Sequence, residues 1–359
     1  MKFRCERDVL VDALGTAGRA ATSRAALPVL SGLRLQLSGD QLRITGSDLD
    51  LTITRSLSVA GAEDGVAVLP AKLAVDIVRA LEPGGVEVDT SGDRPSIRAG
   101  RSEFFLNAIP ADEYPNPHEP DGESVTLQSG HLADGLRQVV GAASSDESRP
   151  ILTGVLLAAE DGGLRLVSTD SYRLAYRDLP GTSLLEQGQQ VLVPSRSLQE
   201  LTRALGQDDD VTLVLSDQMV SFTVGDLQLS TRLIKGDFPD YRKLIPTDMP
   251  NALTVERQAL ADAIRRVRLM ARENSPIRLS MGPDGLELRA ITQDVGEAVE
   301  QLDAKYEGEE LTVAFNPEYL IDGLEVATGD EVTLETVDAL KPALLKSIDV
   351  YSELVKSGV

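Results

Sequence analysis

The amino-acid sequence predicts an α+β fold of three repeated domains, each made of two βαβββ units. Three observations lead to this prediction. Short segments recur at nearly constant spacing, each recurrence opens with a strand pattern followed by a helix pattern, and runs of alternating apolar residues follow each helix. The length of 359 residues is large for one core and suits three domains of about 120 residues each.

Two anchors define the repeat. The segment Leu10–Leu14 recurs 122 residues later as Leu132–Leu136, and a further 128 residues on as Leu260–Ile264. The second anchor is a dipeptide that ends in proline and stands where an apolar run gives way to a helical pattern: Leu69-Pro70, Val193-Pro194 and Asn316-Pro317. Proline suits this place because the first N–H groups of a helix have no helical partner. The spacing predicts domains over residues 1–120, 121–248 and 249–359.

Each domain contains two similar halves. A strand followed by a helix is predicted six times, over Met1–Gly18, Val66–Leu81, Val125–Val140, Val191–Leu205, Leu253–Met270 and Leu311–Val326. Runs of period two then predict further strands, as in Leu33–Leu37 and Leu42–Thr45 on either side of the turn Ser38–Asp40. The chain is therefore expected to contain the βαβββ unit six times.

The formal net charge is −22, which argues against indiscriminate binding to DNA, because phosphate affinity comes mainly from lysine and arginine. Basic residues nevertheless recur on or beside equivalent predicted helices: Arg24, Lys72, Arg79, Arg196, Arg203, Arg265, Arg268 and Arg272. One such residue alone is more typical of a solvated helix face. Their recurrence favours a surface that contacts DNA phosphates without reading sequence. The last predicted helix departs from this pattern and carries Glu318 and Glu325.

Catalytic and metal sites have little support in the sequence. The two histidines, His118 and His131, have no nucleophile motif beside them and cannot form a histidine metal cluster. Asp48 and Asp50 could place two carboxylates on one strand face for acid–base or metal chemistry. Asp170 repeats Asp48 in the second domain, however, and this favours a turn-forming aspartate. We therefore predict a protein without catalytic residues, cofactor or metal.

The sequence also bears on location. No apolar run approaches the ~18 residues of a membrane-spanning helix, and the first residues lack the apolar core of a signal peptide. The single cysteine, Cys5, excludes an internal disulfide. These features predict a cytoplasmic protein.

Several segments resemble the bacterial DNA polymerase sliding clamp family, the beta subunit of the replicative DNA polymerase III. They are Met1–Phe3, Leu27–Leu30, Thr45–Leu49, Val68–Ala71, Ser168–Ala175 and Gly236–Tyr241. With the anchors of the third repeat, the resemblance extends from residue 1 to about residue 345. It implies the DNA clamp fold, in which a head-to-tail homodimer forms a ring around duplex DNA and helices line the hole.

The resemblance also implies residues for two protein surfaces. Apolar positions at the dimer interface correspond to Phe104, Leu106, Leu269 and Met270. A groove between the second and third domains would take short linear peptides from the polymerase alpha subunit, the clamp loader, and other polymerases and repair proteins. Its residues would be Leu152, Thr169, Ser171, Tyr172, Arg173, Leu174, Pro239, Lys243, Leu244 and Pro342. Among the basic residues, Arg24 and Arg196 correspond to DNA-contacting positions of the family.

The C-terminus departs from the family, which ends in an aliphatic strand followed by Met-Pro and a basic residue. No Met-Pro follows Lys346 here, and Ile348, Val350 and Leu354 offer an alternative strand. The first hypothesis is a non-catalytic processivity factor that tethers a polymerase to DNA. The alternative is a divergent clamp whose altered groove makes it a decoy or regulator of partner proteins, and the third hypothesis is an enzyme that uses Asp48 and Asp50.

Overall fold

The computed structural model describes residues 1–22, 27–92, 94–116, 120–122, 124–160, 162–206, 210–246, 248–271, 275–347 and 350–354. Four residues discussed above, Arg24, His118, Arg272 and Ile348, lie outside these ranges. His131 lies in a helix and is exposed, as a solvated polar residue would be.

Six α-helices lie within the described ranges: α1 (Arg7–Gly18), α2 (Ala71–Ala80), α3 (Ser129–Val140), α4 (Ser195–Ala204), α5 (Arg257–Val267) and α6 (Pro317–Val326). The proline anchors mark the start of three of them, because Pro70 and Pro194 immediately precede α2 and α4, and Pro317 is the first residue of α6. The side chain of Asn316 accepts a hydrogen bond from the N–H of Glu318 and so satisfies one of the free amides at the start of α6.

The strands account for most of the remaining chain. In order they are β1 (Lys2–Glu6), β2 (Gly32–Ser38), β3 (Gln41–Ser47), β4 (Leu51–Ser58), β5 (Ala60–Glu63), β6 (Gly65–Pro70), β7 (Gly85–Asp89), β8 (Ser96–Ala99), β9 (Ser102–Phe105), β10 (Ser124–Gln128), β11 (Gly154–Glu160), β12 (Gly163–Thr169), β13 (Arg173–Pro180), β14 (Gln190–Pro194), β15 (Asp210–Leu215), β16 (Met219–Val224), β17 (Leu227–Arg232), β18 (Asn251–Glu256), β19 (Ile277–Gly282), β20 (Gly285–Thr292), β21 (Gly296–Leu302), β22 (Ala304–Glu307), β23 (Leu311–Phe315), β24 (Glu331–Thr336), β25 (Ala343–Ser347) and β26 (Val350–Leu354).

The element order confirms the predicted βαβββ unit six times. Each of the six helices follows one strand and precedes three more. Two short strands were not predicted: β5 lies between the two units of the first domain, and β22 lies between those of the third.

The chain divides by contacts into two compact units. Unit 1 comprises Met1–Gly130 and Arg203–Leu233, and unit 2 comprises His131–Thr202 and Ile234–Val359. In unit 1 the sheets have the strand orders β5-β1-β7-β8-β9 and β10-β15-β16-β17-β4-β3-β2-β6. In unit 2 the orders are β14-β11-β12-β13-β26-β25-β24-β18-β22 and β21-β20-β19-β23.

Two strand pairings explain why contacts give two units where the sequence predicts three domains. In unit 1, β17 pairs antiparallel with β4, with Leu229 opposite Ile53. In unit 2, β13 pairs antiparallel with β26, with Arg173 opposite Leu354. Each pairing joins strands of two predicted domains into one continuous sheet, so a division by contacts does not follow the repeat boundaries.

Apolar cores lie between sheets and helices in both units. In unit 1, α1 contacts α2, and the cluster beneath them includes Phe3, Leu10 and Leu35. In unit 2, α5 contacts α6 over a cluster that includes Ile264 and Phe315. Leu260, Ile264 and Val267 share one face of α5 by their helical spacing, and this face is buried in the same cluster.

Gly46 shows why glycine or serine recurs in the repeats. A Cβ atom at Gly46 would lie 2.0 Å from the carbonyl oxygen of Ala17 near the end of α1. In the second repeat Ser168 takes this place, and its Oγ donates a hydrogen bond to the carbonyl oxygen of Val139 near the end of α3. The close approach of helix to strand requires either no side chain or one that can satisfy the helix carbonyl.

No helix in the described part of the chain is both long and apolar enough to cross a membrane.

Candidate functional site

Asp48 and Asp170 form the same turn in two repeats. Oδ1 of Asp48 accepts hydrogen bonds from the backbone N–H groups of Asp50 and Leu51, at 3.1 and 2.8 Å. Oδ1 of Asp170 accepts them from the N–H groups of Tyr172 and Arg173, at 2.8 and 2.9 Å. The predicted role of a turn-forming aspartate therefore agrees with the geometry of both residues.

The turn also carries backbone strain at one residue. Leu49 follows Asp48 at φ 81°, and Ser171 follows Asp170 at φ 80°. Asp294 has φ 73° in the corresponding turn of the third repeat. The hydroxyl groups of Ser47 and Thr169 accept hydrogen bonds from the N–H groups of Leu49 and Ser171, and these bonds help to hold the left-handed residue in place.

The predicted groove residues of unit 2 come from four segments. Thr169–Leu174 forms the turn and the start of β13, and Leu152 ends the 3₁₀ turn Pro150–Leu152. Arg149 links these two segments, because its Nη1 donates to Oγ of Ser171 at 3.0 Å. Leu152 and Leu174 are buried, whereas half of the surface of Tyr172 is exposed.

Arg173 is occupied by contacts within unit 2. Its guanidinium donates to Asp170 at 3.1 Å, to the carbonyl oxygen of Gly141 at 2.7 Å and to Asp322 on α6. It also lies 4.7 Å from the ring centroid of Tyr319, and only 14% of its side chain is exposed. These contacts join β13 to α6 and to the residue that follows α3.

Tyr319 and Asp322 on α6 were not predicted for the groove. The rings of Tyr172 and Tyr319 stack with their centroids 6.5 Å apart. In the sequence, the signal for Tyr319 and Asp322 was their spacing of three residues, which places two side chains on the same face of a helix. The sequence could not connect them to Tyr172 and Arg173, which lie far away along the chain.

The third segment of the groove is the loop that contains Pro239, Lys243 and Leu244, all of them exposed. Lys243 pairs with Asp240 at 2.7 Å, and this contact raises the pKa of the lysine and lowers that of the aspartate. Tyr241 of the same loop is buried in a cluster with Leu174, which brings the loop to β13. Pro342 is half-buried directly before β25.

The basic residues predicted to contact DNA are mostly exposed. Lys72 and Arg79 on α2 line an open cleft of about 730 Å³ between α1 and α2, together with Arg19. Arg79 lies 3.8 Å from Asp76. On α4, Arg196 and Arg203 are exposed.

The acidic residues of α6 lie opposite the arginines of α5. Arg265 donates to Glu325 at 3.0 Å and to Asp262 at 2.9 Å, and these contacts raise its pKa. Arg268 donates to Glu318 at 2.7 Å. The two glutamates that seemed to interrupt the basic pattern in the sequence thus form ion pairs with it.

The four apolar residues expected at the dimer interface differ in exposure. Leu269 is 76% exposed, Phe104 on β9 is 38% exposed, and Met270 is partly buried against the core of unit 2. Leu106 is 3% exposed and belongs to the core of unit 1. Its side chain therefore serves the core, and the expectation that it offers an interface contact is not supported by its burial.

Four further apolar residues are exposed and were not predicted for the interface. Phe105 follows Phe104 on β9, an edge strand of its sheet, and Val299 lies on β21, an edge strand in unit 2. Ile291 lies near the end of β20, and Val295 directly precedes β21. All four are at least 45% exposed.

The atypical C-terminus forms a strand. Residues 350–354 form β26, which pairs antiparallel with β25 on one side and with β13 on the other. The alternative strand suggested by Val350 and Leu354 is therefore present in the backbone.

In the described ranges, no group of three or more histidine, cysteine, aspartate or glutamate side chains is placed to hold a metal ion.

Three domains of one family match the sequence. Residues 1–118, 126–240 and 242–355 match the N-terminal, central and C-terminal domains of the DNA polymerase III beta subunit. The beta sliding clamp of Streptomyces coelicolor is 36% identical, over 96% of this chain and 93% of that protein. The beta sliding clamp of Bacillus subtilis is 33% identical, over 97% and 96%.

Comparison with solved structures leads to the same family. The crystal structure of the Bacillus subtilis DNA polymerase sliding clamp superposes with a TM-score of 0.91 at 31% identity, covering 100% of this chain and 99% of that one. The clamp of Pseudomonas aeruginosa bound to griselimycin gives a TM-score of 0.92 at 29% identity, with both chains fully covered. The chain therefore belongs to the DNA polymerase III beta subunit family, the family of the bacterial sliding clamps.

Proposed function

We propose that the chain is a non-catalytic processivity factor of the cytoplasm that forms a head-to-tail homodimer around duplex DNA and tethers the replicative polymerase to it. The observation that carries the proposal is the match of all three family domains, in order, along nearly the whole chain. In this proposal the three predicted domains of each chain, over residues 1–120, 121–248 and 249–359, contribute six domains to the ring.

Two exposed edges support dimerisation. β9 in unit 1 and β21 in unit 2 each lie at the edge of a sheet, and exposed apolar residues such as Phe105 and Val299 lie on them. An edge strand offers unpaired backbone groups to another chain. Contacts between two different surfaces close into a ring when the rotation between copies allows it. The proposed interface therefore pairs Phe104 and Phe105 of one copy with Leu269 and Val299 of the other.

Exposed arginines and lysines on the helices would contact the DNA. The ion pairs of Arg265 and Arg268 with glutamates are solvent-exposed, and pairs of this kind contribute little free energy. DNA phosphates can therefore compete for the same guanidinium groups. Phosphate contacts carry no sequence information, which suits a protein that must move along DNA.

The groove of unit 2 is the proposed site for peptides of partner proteins, namely the polymerase alpha subunit, the clamp loader, and other polymerases and repair proteins. Its exposed Tyr172 and Leu244 suit the apolar side chains of a short linear peptide, and the buried Leu152 and Leu174 support the surface from below.

A second candidate function is that of a divergent clamp that regulates or sequesters partner proteins. The C-terminal sequence favours it, because the family's Met-Pro ending is missing. The enzyme hypothesis loses its support, since Asp48 is engaged in the turn through Oδ1.

A retention assay tests the main proposal. The protein is loaded by the clamp loader of the same cell and ATP onto nicked circular plasmid, which is then isolated with or without linearisation. A ring that encloses DNA stays on the circle and slides off the linear form. Equal retention on both forms, or none on either, would contradict the proposal, and a protein that binds partner peptides without retention would be the divergent regulator.

A further inference from the structure

The loop of residues 239–244 in unit 2, which contains three of the proposed groove residues, is anchored by one buried tyrosine. Tyr241 is 3% exposed and packs with Leu156, Leu174 and Leu192. Its ring also meets that of Phe238 edge-on, with centroids 6.4 Å apart. The exposed groove residues Pro239, Lys243 and Leu244 lie within three positions of it. Because a bound peptide cannot reach Tyr241, any effect of this residue on binding must pass through the loop.

Glu160 at the end of β11 fixes the loop at two adjacent residues. Oε1 of Glu160 accepts a hydrogen bond from the hydroxyl of Tyr241 at 3.2 Å and an ion-paired hydrogen bond from Arg242. The guanidinium of Arg242 also lies 5.0 Å from the ring centroid of Tyr241. Burial raises the pKa of Tyr241, so its hydroxyl keeps the proton that it donates to Glu160.

A second charged side chain, that of Arg165, belongs to the surroundings of the Tyr241 hydroxyl. Arg165 on β12 donates to both carboxylate oxygens of Asp178 on β13, at 2.6 and 2.9 Å. Arg165 also lies 5.3 Å from the ring centroid of Tyr176. Its contact with Asp178 is the main cause of its raised pKa, and Tyr241 contributes to the same shift. The tyrosine hydroxyl therefore donates to a negative group on β11, and a positive group on β12 belongs to its surroundings.

Unit 1 contains a matching tyrosine without this network. Tyr114 lies near the end of the first domain, is buried with Val29 and Leu30, and donates to the carbonyl oxygen of Thr45 at 3.3 Å. Burial raises the pKa of Tyr114 to about 12. A buried tyrosine thus anchors a loop in both units, and in unit 2 its hydroxyl donates to a charged side chain.

We propose that Tyr241, whose buried ring packs under the loop and whose hydroxyl donates to Glu160, is a positioning residue that sets the place of the groove wall formed by residues 239–244 and thereby determines the affinity for partner peptides. This inference rests on the proposed function of the groove. Glu160 takes part in the same positioning, since it accepts hydrogen bonds from both the Tyr241 hydroxyl and Arg242.

The test compares Tyr241→Phe with Tyr114→Phe in the full-length protein. Short overlapping fluorescein-labelled peptides that span the polymerase alpha subunit of the same cell are titrated with wild-type protein, and the tightest one serves as the probe. Loss of one hydrogen bond to a charged partner should weaken peptide binding by Tyr241→Phe about three- to tenfold. Tyr114→Phe should leave the dissociation constant unchanged, although it removes a comparable hydroxyl.

Hydrogen exchange separates positioning from general destabilisation. In Tyr241→Phe the backbone amides of residues 239–244 should exchange faster, while the dimer mass measured by light scattering stays at the wild-type value. Glu160→Ala provides a second variant at a partly exposed site. The double variant should bind no more weakly than the weaker single variant, because both changes remove the same contact.

The outcomes are distinct. If wild-type protein binds no peptide, the proposed groove fails and the positioning role fails with it. If wild-type protein binds and Tyr241→Phe binds within twofold of it, or no more weakly than Tyr114→Phe, the positioning role alone is overturned.

Discussion

Residues that look alike in the sequence have different tasks in this chain. Asp48 and Asp50 are two positions apart, yet Asp48 accepts two backbone hydrogen bonds, while the side chain of Asp50 is 78% exposed and lies 3.8 Å from Arg232. The hydrogen bonds of Asp48 hold the turn in which Leu49 has a positive φ. Stability at this turn should therefore depend on Asp48 much more than on Asp50.

We expect Asp48→Ala to lower the free energy of unfolding by about 1–2 kcal/mol, because two backbone amides lose their acceptor. Asp50→Ala is the matched control and should change it by less than ~0.5 kcal/mol, as is usual for an exposed surface pair. Urea denaturation followed by circular dichroism measures both. Equal effects of the two variants would argue against the turn-forming role.

The lowered pKa of Asp89 predicts how the free energy of unfolding changes with pH. Hydrogen bonds from the side chain and backbone of Ser91 hold its pKa at about 2, below the usual 3.8, and Lys2 contributes. Since the pKa is depressed in the folded state, the stabilisation is complete above the unfolded pKa and is lost as the pH falls from about 4 towards 2. Asn can keep the hydrogen bonds to Ser91 but not the charge.

We therefore expect Asp89→Asn to be less stable than wild type by about 1 kcal/mol at neutral pH, a figure reduced for solvent screening of a residue near the surface. The difference should shrink as the pH falls from about 4 towards 2. Denaturation curves at a series of pH values measure it. A difference that stayed constant or grew on acidification would contradict the assignment.

At the scale of elements, the edge strands are the features most open to another chain. Leu269 is 76% exposed directly after α5, and Phe104 lies on β9. Monomeric proteins rarely expose apolar residues in groups. Burial against a second copy would explain them, and the two candidate surfaces differ, as a head-to-tail contact requires.

We expect Phe104→Glu and Leu269→Glu each to convert the dimer into monomers, because each places a charge in an apolar contact. Leu340→Glu is the matched control, since Leu340 is 88% exposed and lies in no predicted interface. Size-exclusion chromatography with light scattering measures the mass.

Mixing the two variants sharpens this test. In a head-to-tail dimer, a mixed pair has one interface with both native residues and one with both glutamates. The mixture should therefore contain dimers that neither variant forms alone. Persistent monomers in the mixture would speak against contact between Phe104 of one copy and Leu269 of the other.

The C-terminal strand is a second feature of the same scale. β26 lies between β13 and β25 in the nine-stranded sheet of unit 2. Removal of residues 348–359 should expose the edges of both neighbours, lower the stability of unit 2 and promote association. Removal of residues 355–359 alone keeps β26 and is the control. Denaturation and light scattering measure the effects, and identical behaviour of the two truncations would mean that β26 contributes nothing.

At the scale of the molecule, the arrangement of charge matters more than its sum. The net charge of −22 opposes DNA binding in general, whereas exposed basic residues recur on α2 and α4, and the partly exposed Arg265 and Arg268 lie at the end of α5 and directly after it. Arginines also occur away from the proposed DNA surface, and Arg266 pairs with Glu300 on β21. Position, and not basicity alone, should therefore decide which arginines retain DNA.

We expect reversal of Arg265, Arg268 and Arg272 to glutamate to reduce retention on circular DNA, with the largest difference from wild type at low salt, because the lost phosphate contacts are the ones that salt screens. Reversal of Arg266, Arg278 and Arg289 changes the net charge equally and is the control. The circular-plasmid assay measures both variants. Equal losses would show that only net charge matters.

The sequence by itself determined the repeat, the six βαβββ units and the family. These depend on local signals: apolar periodicity, proline at helix starts and the Asp48 and Asp170 turns all act over a few residues. The buried face of α5 followed from helical spacing for the same reason.

Only the tertiary structure decided how distant segments share a site. Leu106 and Phe104 are both apolar and lie two positions apart. Leu106 is nevertheless buried and Phe104 exposed, because exposure depends on which strands cover a residue. The contacts of Arg173 with α6 and the network around Tyr241 join residues far apart along the chain. Side-chain partners of this kind depend on how sheets and helices pack, and no local pattern in the sequence encodes that packing.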